Sequence, residues 1–418
     1  MEVSKQKNNM YPWFVVAMLW FVALLNYMDR QMLSTMRIPM MDDIQELESA
    51  ANFGRLMAVF LWVYGLMSPI SGMIADKLSK KWLIVGSLAV WSSVTYFMGY
   101  ATDFSQLYIL RGLMGVSEAL YIPAALALIA EYHTRTRSLA VGIHMTGLYV
   151  GQALGGFGAT VAAMYTWHTT FHWFGIVGVI YSIVLAIFLK DVKRNLMPKP
   201  AIVNKPKEKK LIFSGIVMLV TNMSFWVILL YFCIPSLPGW ATKNWLPTLF
   251  SDNLSIDMSI AGPMSTITIA ASSFIGVIFG GFLSDKWILK NVRGRIYTSA
   301  IGVALLIPSL ILIGFGHTIL AVVSGAICFG IGFGIFDANN MPILCQLVSP
   351  RYRATAYGIM NMAGVFAGAI ITGILGKSMD SGNLGHDFAM MAGIVFVVLL
   401  IQLFFLRPKV ADMGDDAQ

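Results

Sequence analysis

The stretch Gly72-Met73-Ile74-Ala75-Asp76-Lys77-Leu78-Ser79-Lys80-Lys81 separates two long apolar runs, and its core returns 209 residues later (72 to 281) as Gly281-Phe282-Leu283-Ser284-Asp285-Lys286. A second pattern, Arg135-x-Arg137-x-x-Ala140-x-Gly142, recurs 216 residues on (135 to 351) as Arg351-x-Arg353-x-x-Ala356-x-Gly358. Two matches at nearly the same offset point to a duplicated chain rather than to chance likeness of basic loops. Duplicated halves with a binding site between them are a common plan of secondary transporters.

The composition around these motifs agrees. Of 418 residues, 57% are hydrophobic and 12% charged, with a mean hydropathy of +0.71. A soluble domain carries about 25% charged residues, so a soluble enzyme and a disordered chain are excluded. The net charge of +8 does not indicate a nucleic-acid partner, because the basic residues are confined to short segments between apolar runs. Cys233, Cys328 and Cys345 all lie within apolar runs, which argues against a disulfide framework or a metal cluster.

A bilayer-spanning helix needs about 20 apolar residues. Twelve runs qualify: 12–36, 52–75, 82–100, 104–130, 138–163, 171–189, 211–235, 259–284, 296–315, 318–346, 354–376 and 387–406. The expected fold is an all-α membrane protein of twelve transmembrane helices in two pseudo-symmetric six-helix bundles. The first half covers 1–189 and the second 211–418, joined by a polar linker at 190–210 that holds eight Lys or Arg. Of the 29 Lys and Arg, 23 fall on the side that carries the N-terminus, 190–210 and 285–295, whereas Arg37, Arg55, Lys243 and Lys377 fall opposite. The positive-inside rule then puts both termini in the cytoplasm, with the chain expected in a bacterial inner membrane.

Ionisable groups inside spans are costly and mark function. Span one contains Asn26-Tyr27-Met28-Asp29-Arg30, and span four contains Arg111 and, seven residues on, Glu118. The latter two share a helix face but stand about 10.5 Å apart along the axis. They are too far apart for one direct bridge, so each is expected to pair with a charge of span one. A carboxylate that alternates between an Arg partner and a proton can couple proton entry to cargo entry. The alternative is two static pairs holding spans one and four together.

Gly72 to Lys81 resembles the loop signature of the major facilitator superfamily, and the resemblance covers almost the full chain. It implies that Asp76, Lys77, Lys80, Lys81 and Asp285 latch the halves on the cytoplasmic side. Asn-Tyr-x-Asp-Arg in span one and Arg-x-x-x-Gly-x-x-Glu-Ala in span four resemble the anion–cation symporter family, which carries sugar acids. That resemblance implies Asp29 and Glu118 as proton carriers, Arg30 as the carboxylate clamp and Arg111 as partner of the carboxylates. Spinster-type lipid transporters share much of this constellation and remain the alternative.

Span seven, read as 211–235, holds no Lys, Arg, Asp or Glu. With one central cation, a monocarboxylate is expected rather than a phosphate ester. Asn222 in span seven and Asn361 in span eleven can read hydroxyls or bond helix to helix. Tyr64, Tyr149 and Gln152 are further candidate contacts, while Asp337 reads better as part of a buried structural pair unless it faces the cavity. Gly147-x-x-x-Gly151-x-x-x-Gly155 suits close helix packing. The spans offer no nucleophile–base pair, so no enzyme is expected. No cofactor or metal is expected beyond protons as the coupling ion, and the working unit is expected to be a monomer in the lipid bilayer.

Overall fold

The computed structural model describes residues 10–133, 136–192, 223–348 and 353–408. Among them the regular structure is helical, with no strand. The first half holds α1 (Tyr11–Leu33), α2 (Arg37–Met41), α3 (Ala50–Lys77), α4 (Lys80–Met98) and α5 (Phe104–Ala119). It continues through α6 (Tyr121–Tyr132), α7 (Arg137–Gly155), α8 (Gly158–Met164) and α9 (Trp167–Phe188). The second half holds α10 (Met223–Leu254), α11 (Met258–Ile288), α12 (Gly294–Phe315), α13 (Ile319–Leu347), α14 (Arg353–Asp380) and α15 (Leu384–Phe405). With α5–α6 and α7–α8 each counted as one interrupted span, these make twelve spans. Ten of them are long and apolar enough to cross a bilayer by length and composition alone.

The helix starts are written locally. Ser49, Ser79, Asp103, Thr166, Asp257 and Thr318 each accept a backbone N–H of the first turn, the usual cap chemistry. The ends of α1 and α7 are followed by the short α2 and α8, which touch each other.

The seventh span departs from the reading of the sequence. The expected loop after residue 235 is helix, and α10 runs on to Leu254 through Pro235, Pro238 and Pro247. Prolines are tolerated in membrane helices because neighbouring helices and local adjustments satisfy the freed carbonyls. Lys243, assigned from the sequence to an outer loop, therefore lies inside a span. The expected linker, from residue 193 onward, falls outside the described residues.

Within the first half α1 lies along α7. A Cβ on Gly155 would come within 2.7 Å of the Met28 carbonyl, and one on Gly147 within 2.6 Å of the Trp20 carbonyl. The glycine stripe is thus a packing face, as the sequence suggested. The halves meet along α3–α14 and α7–α11. Those contacts gather at one end, marked by Asp380. There Asp380 accepts from Ser49 Oγ (2.8 Å) and from the Ala50 and Ala51 N–H groups (2.6 and 2.9 Å). Thr160 Oγ1 donates to the Ser259 carbonyl at 2.6 Å, and Thr266 Oγ1 to that of Ala153 at 3.1 Å. At the other end, marked by Lys80, a Cβ on Gly72, Gly142, Gly281 or Gly358 would meet nothing within 4 Å. The halves are closed at the Asp380 end, and these four loop-motif glycines stand clear at the Lys80 end.

Candidate functional site

The last turns of α1 supply Asn26, Asp29, Arg30 and Gln31. Successive residues point about 100° apart around a helix, so Asp29 and Arg30 leave in different directions. Arg30 Nε donates to Glu118 Oε2 at 2.5 Å, and Asn26 Nδ2 donates to the same oxygen at 2.9 Å. The Glu118 side chain is fully withdrawn from solvent and that of Arg30 is 12% exposed. Three rings surround the Arg30 guanidinium: Tyr64 at 4.5 Å, Phe60 at 4.8 Å and Tyr27 at 5.2 Å from their centroids. Glu118 Oε1 and Arg30 Nη2 have no hydrogen-bond partner. The pair is held by one short bond rather than by the two-pronged geometry an Arg–carboxylate pair can adopt.

Asp29 turns to α4 and accepts from Thr95 Oγ1 at 3.2 Å. Arg111 forms no ion pair among the described residues. Its guanidinium lies over the Phe60 ring at 4.6 Å, with Nη1 2.9 Å from Met114 Sδ. Of the two cross-helix pairs expected from the sequence, only Arg30–Glu118 is made. The helical turn between Asp29 and Arg30 sends Asp29 to a hydroxyl instead of to Arg111.

A cavity of about 290 Å³ lies between the halves, lined by Tyr27, Tyr64, Ser236, Trp240, Lys243, Asp337, Tyr357 and Asn361 among others. An adjoining cavity of about 140 Å³ is reached past Tyr27, Tyr149, Gln152, Thr242, Lys243 and Asp337. Four expected contacts, Tyr64, Tyr149, Gln152 and Asn361, are on these walls. Arg30 and Arg111 are not; Tyr27 and Tyr64 stand between the Arg30 guanidinium and the cavity. Asn222 lies outside the described residues.

The sequence reading missed Lys243, and for Asp337 the less favoured of its two readings holds. Both line both cavities. The reading that span seven holds no cation is therefore corrected: Lys243 supplies one, and the argument against a phosphate ester that rested on its absence falls. Asp337 faces the cavity and makes no ion pair among the described residues, against the buried pair expected. The one signal that could have found Lys243 is the apolar stretch on both sides of it, which continues if its prolines are read as part of a membrane helix.

The loop-motif residues are placed less completely. Lys80 Nζ pairs with Glu131 at 2.8 Å, and the Lys81 N–H donates to Asp191 Oδ1 at 2.8 Å. The first contact stays within the first half and the second reaches the start of the linker; neither joins the two halves. Asp285 is exposed, and the side chains of Asp76 and Lys77 lie outside the described part.

The chain has relatives of similar size. It is 24% identical over 419 residues to the hexuronate transporter of Bacillus subtilis, covering 94% of each chain. It is 25% identical over 434 residues to the chloroplastic sodium-dependent phosphate transport protein 1 of Arabidopsis thaliana, covering 96% of this chain and 80% of that one. Its fold is similar to that of a bacterial homologue of the human lysosomal transporter Spinster, solved in an inward-facing, unoccupied conformation. The TM-score is 0.82 at 18% identity, over 98% of this chain and 100% of that one. The description Major Facilitator Superfamily matches residues 19–373. The chain belongs to the Major Facilitator Superfamily and is a multi-pass membrane transporter, not an enzyme.

Proposed function

We propose that the protein is a proton-coupled symporter that imports a small organic anion by alternating access. The preferred cargo is a sugar acid: a hexuronate, a hexonate or sialic acid. The observation that carries this reading is the buried Arg30–Glu118 pair, one aromatic layer behind a cavity lined by Lys243, Asp337 and Asn361 among apolar side chains. A carboxylate separated from its cationic partner in a low-dielectric interior is favoured as the neutral acid. Glu118 can thus exchange its bond to Arg30 for a proton, and Asp29 can take a proton beside Thr95.

The interior charges support the coupling. Among the described residues the mid-membrane set is Arg30, Arg111 and Lys243 against Asp29, Glu118 and Asp337, three charges of each sign. A monoanion entering alone leaves one uncompensated negative charge, which costs several kcal/mol in a low-dielectric site. One proton taken up by a carboxylate restores the balance. This supports one proton per monocarboxylate.

Size and wall chemistry support a small polar cargo. A cavity of about 290 Å³ is at the lower limit of small-molecule sites, and tyrosines, Trp240 and Asn361 offer flat faces and amides to a sugar ring. The likeness to the Spinster homologue is one of fold; the wall also carries apolar groups such as Leu126, Leu148, Phe232 and Phe333, and it is Lys243, Asp337 and Asn361 among them that favour a polar cargo over a lipid tail. The name of the Bacillus relative agrees with a hexuronate. On this reading the chain works as a monomer in a bacterial inner membrane with both termini on the cytoplasmic side, which turns the Lys80 end inward.

The test is uptake into proteoliposomes under an imposed inward proton gradient. Labelled glucuronate, gluconate and sialic acid would be offered, with glucose as the neutral control. The expected result is accumulation of one acid, abolished by a protonophore. Lysolipid transfer without any acid uptake would overturn the reading.

A further inference from the structure

Lys243 lines the cavity with Asp337 as its electrostatic partner, but no direct ion pair joins them. Its nearest recorded neighbours are the ring faces of Trp240 at 4.8 Å and Tyr27 at 5.8 Å. Its backbone is fixed from the other half, since Gln31 Nε2 donates to the Lys243 carbonyl at 2.7 Å. The stem therefore starts from a pinned point at the junction of α1 and α10. Asp337, on α13, is exposed on the wall of the same cavities, and its Oδ1 accepts from Asn340 Nδ2 at 3.2 Å. It is close enough to Lys243 to act on its charge, yet no hydrogen bond or ion pair joins the two.

Arg30 is placed differently. Its Nε is committed to Glu118, its planar faces are covered by rings, and it lines neither cavity. Arg111 is buried over Phe60. Of the three mid-membrane cations, Lys243 alone offers its charged group directly to cargo.

We propose that Lys243 is the docking cation for the cargo carboxylate and that Asp337, on the wall of the same cavities, accepts hydrogen bonds from the cargo's hydroxyls. The site then selects a hydroxylated monocarboxylate. A neutral sugar loses the ammonium contact. A dianion meets the ammonium with one group and is repelled by the Asp337 carboxylate with the other. Carboxylate–ammonium contact gives affinity, and the opposing carboxylate gives selectivity by repulsion. This rests on the proposed function as to cargo class, but it moves carboxylate docking from Arg30 to Lys243 and leaves Arg30–Glu118 to the proton.

Binding to the purified protein in detergent, measured by calorimetry without any gradient, separates the two proposals. Glucuronate and gluconate are the monocarboxylates, glucarate the dicarboxylate, glucose the neutral control and an amino acid the zwitterionic control. Lys243→Gln is expected to weaken monocarboxylate binding roughly 10- to 100-fold, the usual effect of one charge-assisted contact. Lys243→Arg is expected to keep most of it, which also shows that the position tolerates substitution. Asp337→Asn is expected to admit glucarate, which the unsubstituted protein rejects. Full monocarboxylate affinity in Lys243→Gln overturns the assignment, and so does glucarate binding as tight as gluconate binding in the unsubstituted protein. Stronger binding of the amino acid than of gluconate overturns the hydroxyl role of Asp337. If Lys243→Gln binds normally while Glu118→Gln loses proton-driven uptake, the symporter stands and only this docking assignment falls.

Discussion

Asp380, the last residue of α14, accepts a hydrogen bond from Ser49 Oγ, the residue that caps α3, at 2.8 Å across the junction of the two halves. The same carboxylate accepts the Ala50 and Ala51 N–H groups. One half thus caps a helix of the other, with a negative charge placed at a helix N-terminus where the dipole favours it. The contact exists only while the Asp380 end is closed.

Asp380→Asn keeps the shape and removes the charge, weakening a clasp worth about 1 kcal/mol at this partly exposed position. The population should shift several-fold toward opening at that end. Spin labels on α3 and α14 beside the junction would record a larger long-distance fraction. An unchanged distance distribution would show that other contacts hold this end alone.

Glu118→Gln removes the charge partner of Arg30 while keeping the hydrogen bond from Asn26 possible. Gradient-driven accumulation should be lost, and exchange of cargo down its own gradient should survive. Proteoliposome counterflow beside proton-driven uptake gives both readings. Asp29→Asn should have a smaller effect on the Arg30 pair, since Asp29 contacts Thr95 rather than either arginine. A Glu118→Gln protein that concentrates cargo like the unsubstituted one would remove the coupling mechanism.

Phe60 serves two guanidiniums, Arg30 at 4.8 Å and Arg111 at 4.6 Å. Phe60→Leu takes the ring face from both, at about 1–2 kcal/mol for each desolvated cation–π contact. The melting temperature in detergent should fall, and Phe60→Trp should recover part of the loss. Equal melting of the Leu and Trp variants would assign the position to packing volume.

The glycines at the two ends should answer differently to the same change. Gly155→Leu drives a side chain into the Met28 carbonyl and should cost about 1–3 kcal/mol or more, read as a lower melting temperature. Gly142→Ala, on the same helix, enters open space and should leave melting unchanged. If the Lys80 end closes during transport, Gly142→Val slows uptake without lowering stability.

Much of this protein was legible without coordinates because its strongest signals are local. A bilayer-spanning run declares itself by length and apolarity, and a duplicated loop by its residues. An ionisable group within an apolar run marks itself as a candidate, which is why Asp29, Arg30, Arg111 and Glu118 could be singled out in advance. Tyr64, Tyr149, Gln152 and Asn361 were found because polar groups on spans have few places to point. Lys243 was not found because Pro235, Pro238 and Pro247 made its stretch read as loop, and proline's cost in a helix depends on the neighbours that satisfy the freed carbonyls.

Pairing was likewise undecided by the chain alone. The sequence determined that two carboxylates and two arginines share spans one and four, with Asp29 and Arg30 as helix neighbours. Only the tertiary structure decided that Glu118 takes Arg30, that Asp29 takes Thr95, and that Arg111 rests on a ring. It also decided that Lys243 and Asp337 face one cavity and that the halves close at the Asp380 end. Those outcomes depend on helix rotation and on which half meets which, and a helix of given sequence can be turned either way until its neighbours bury one face of it.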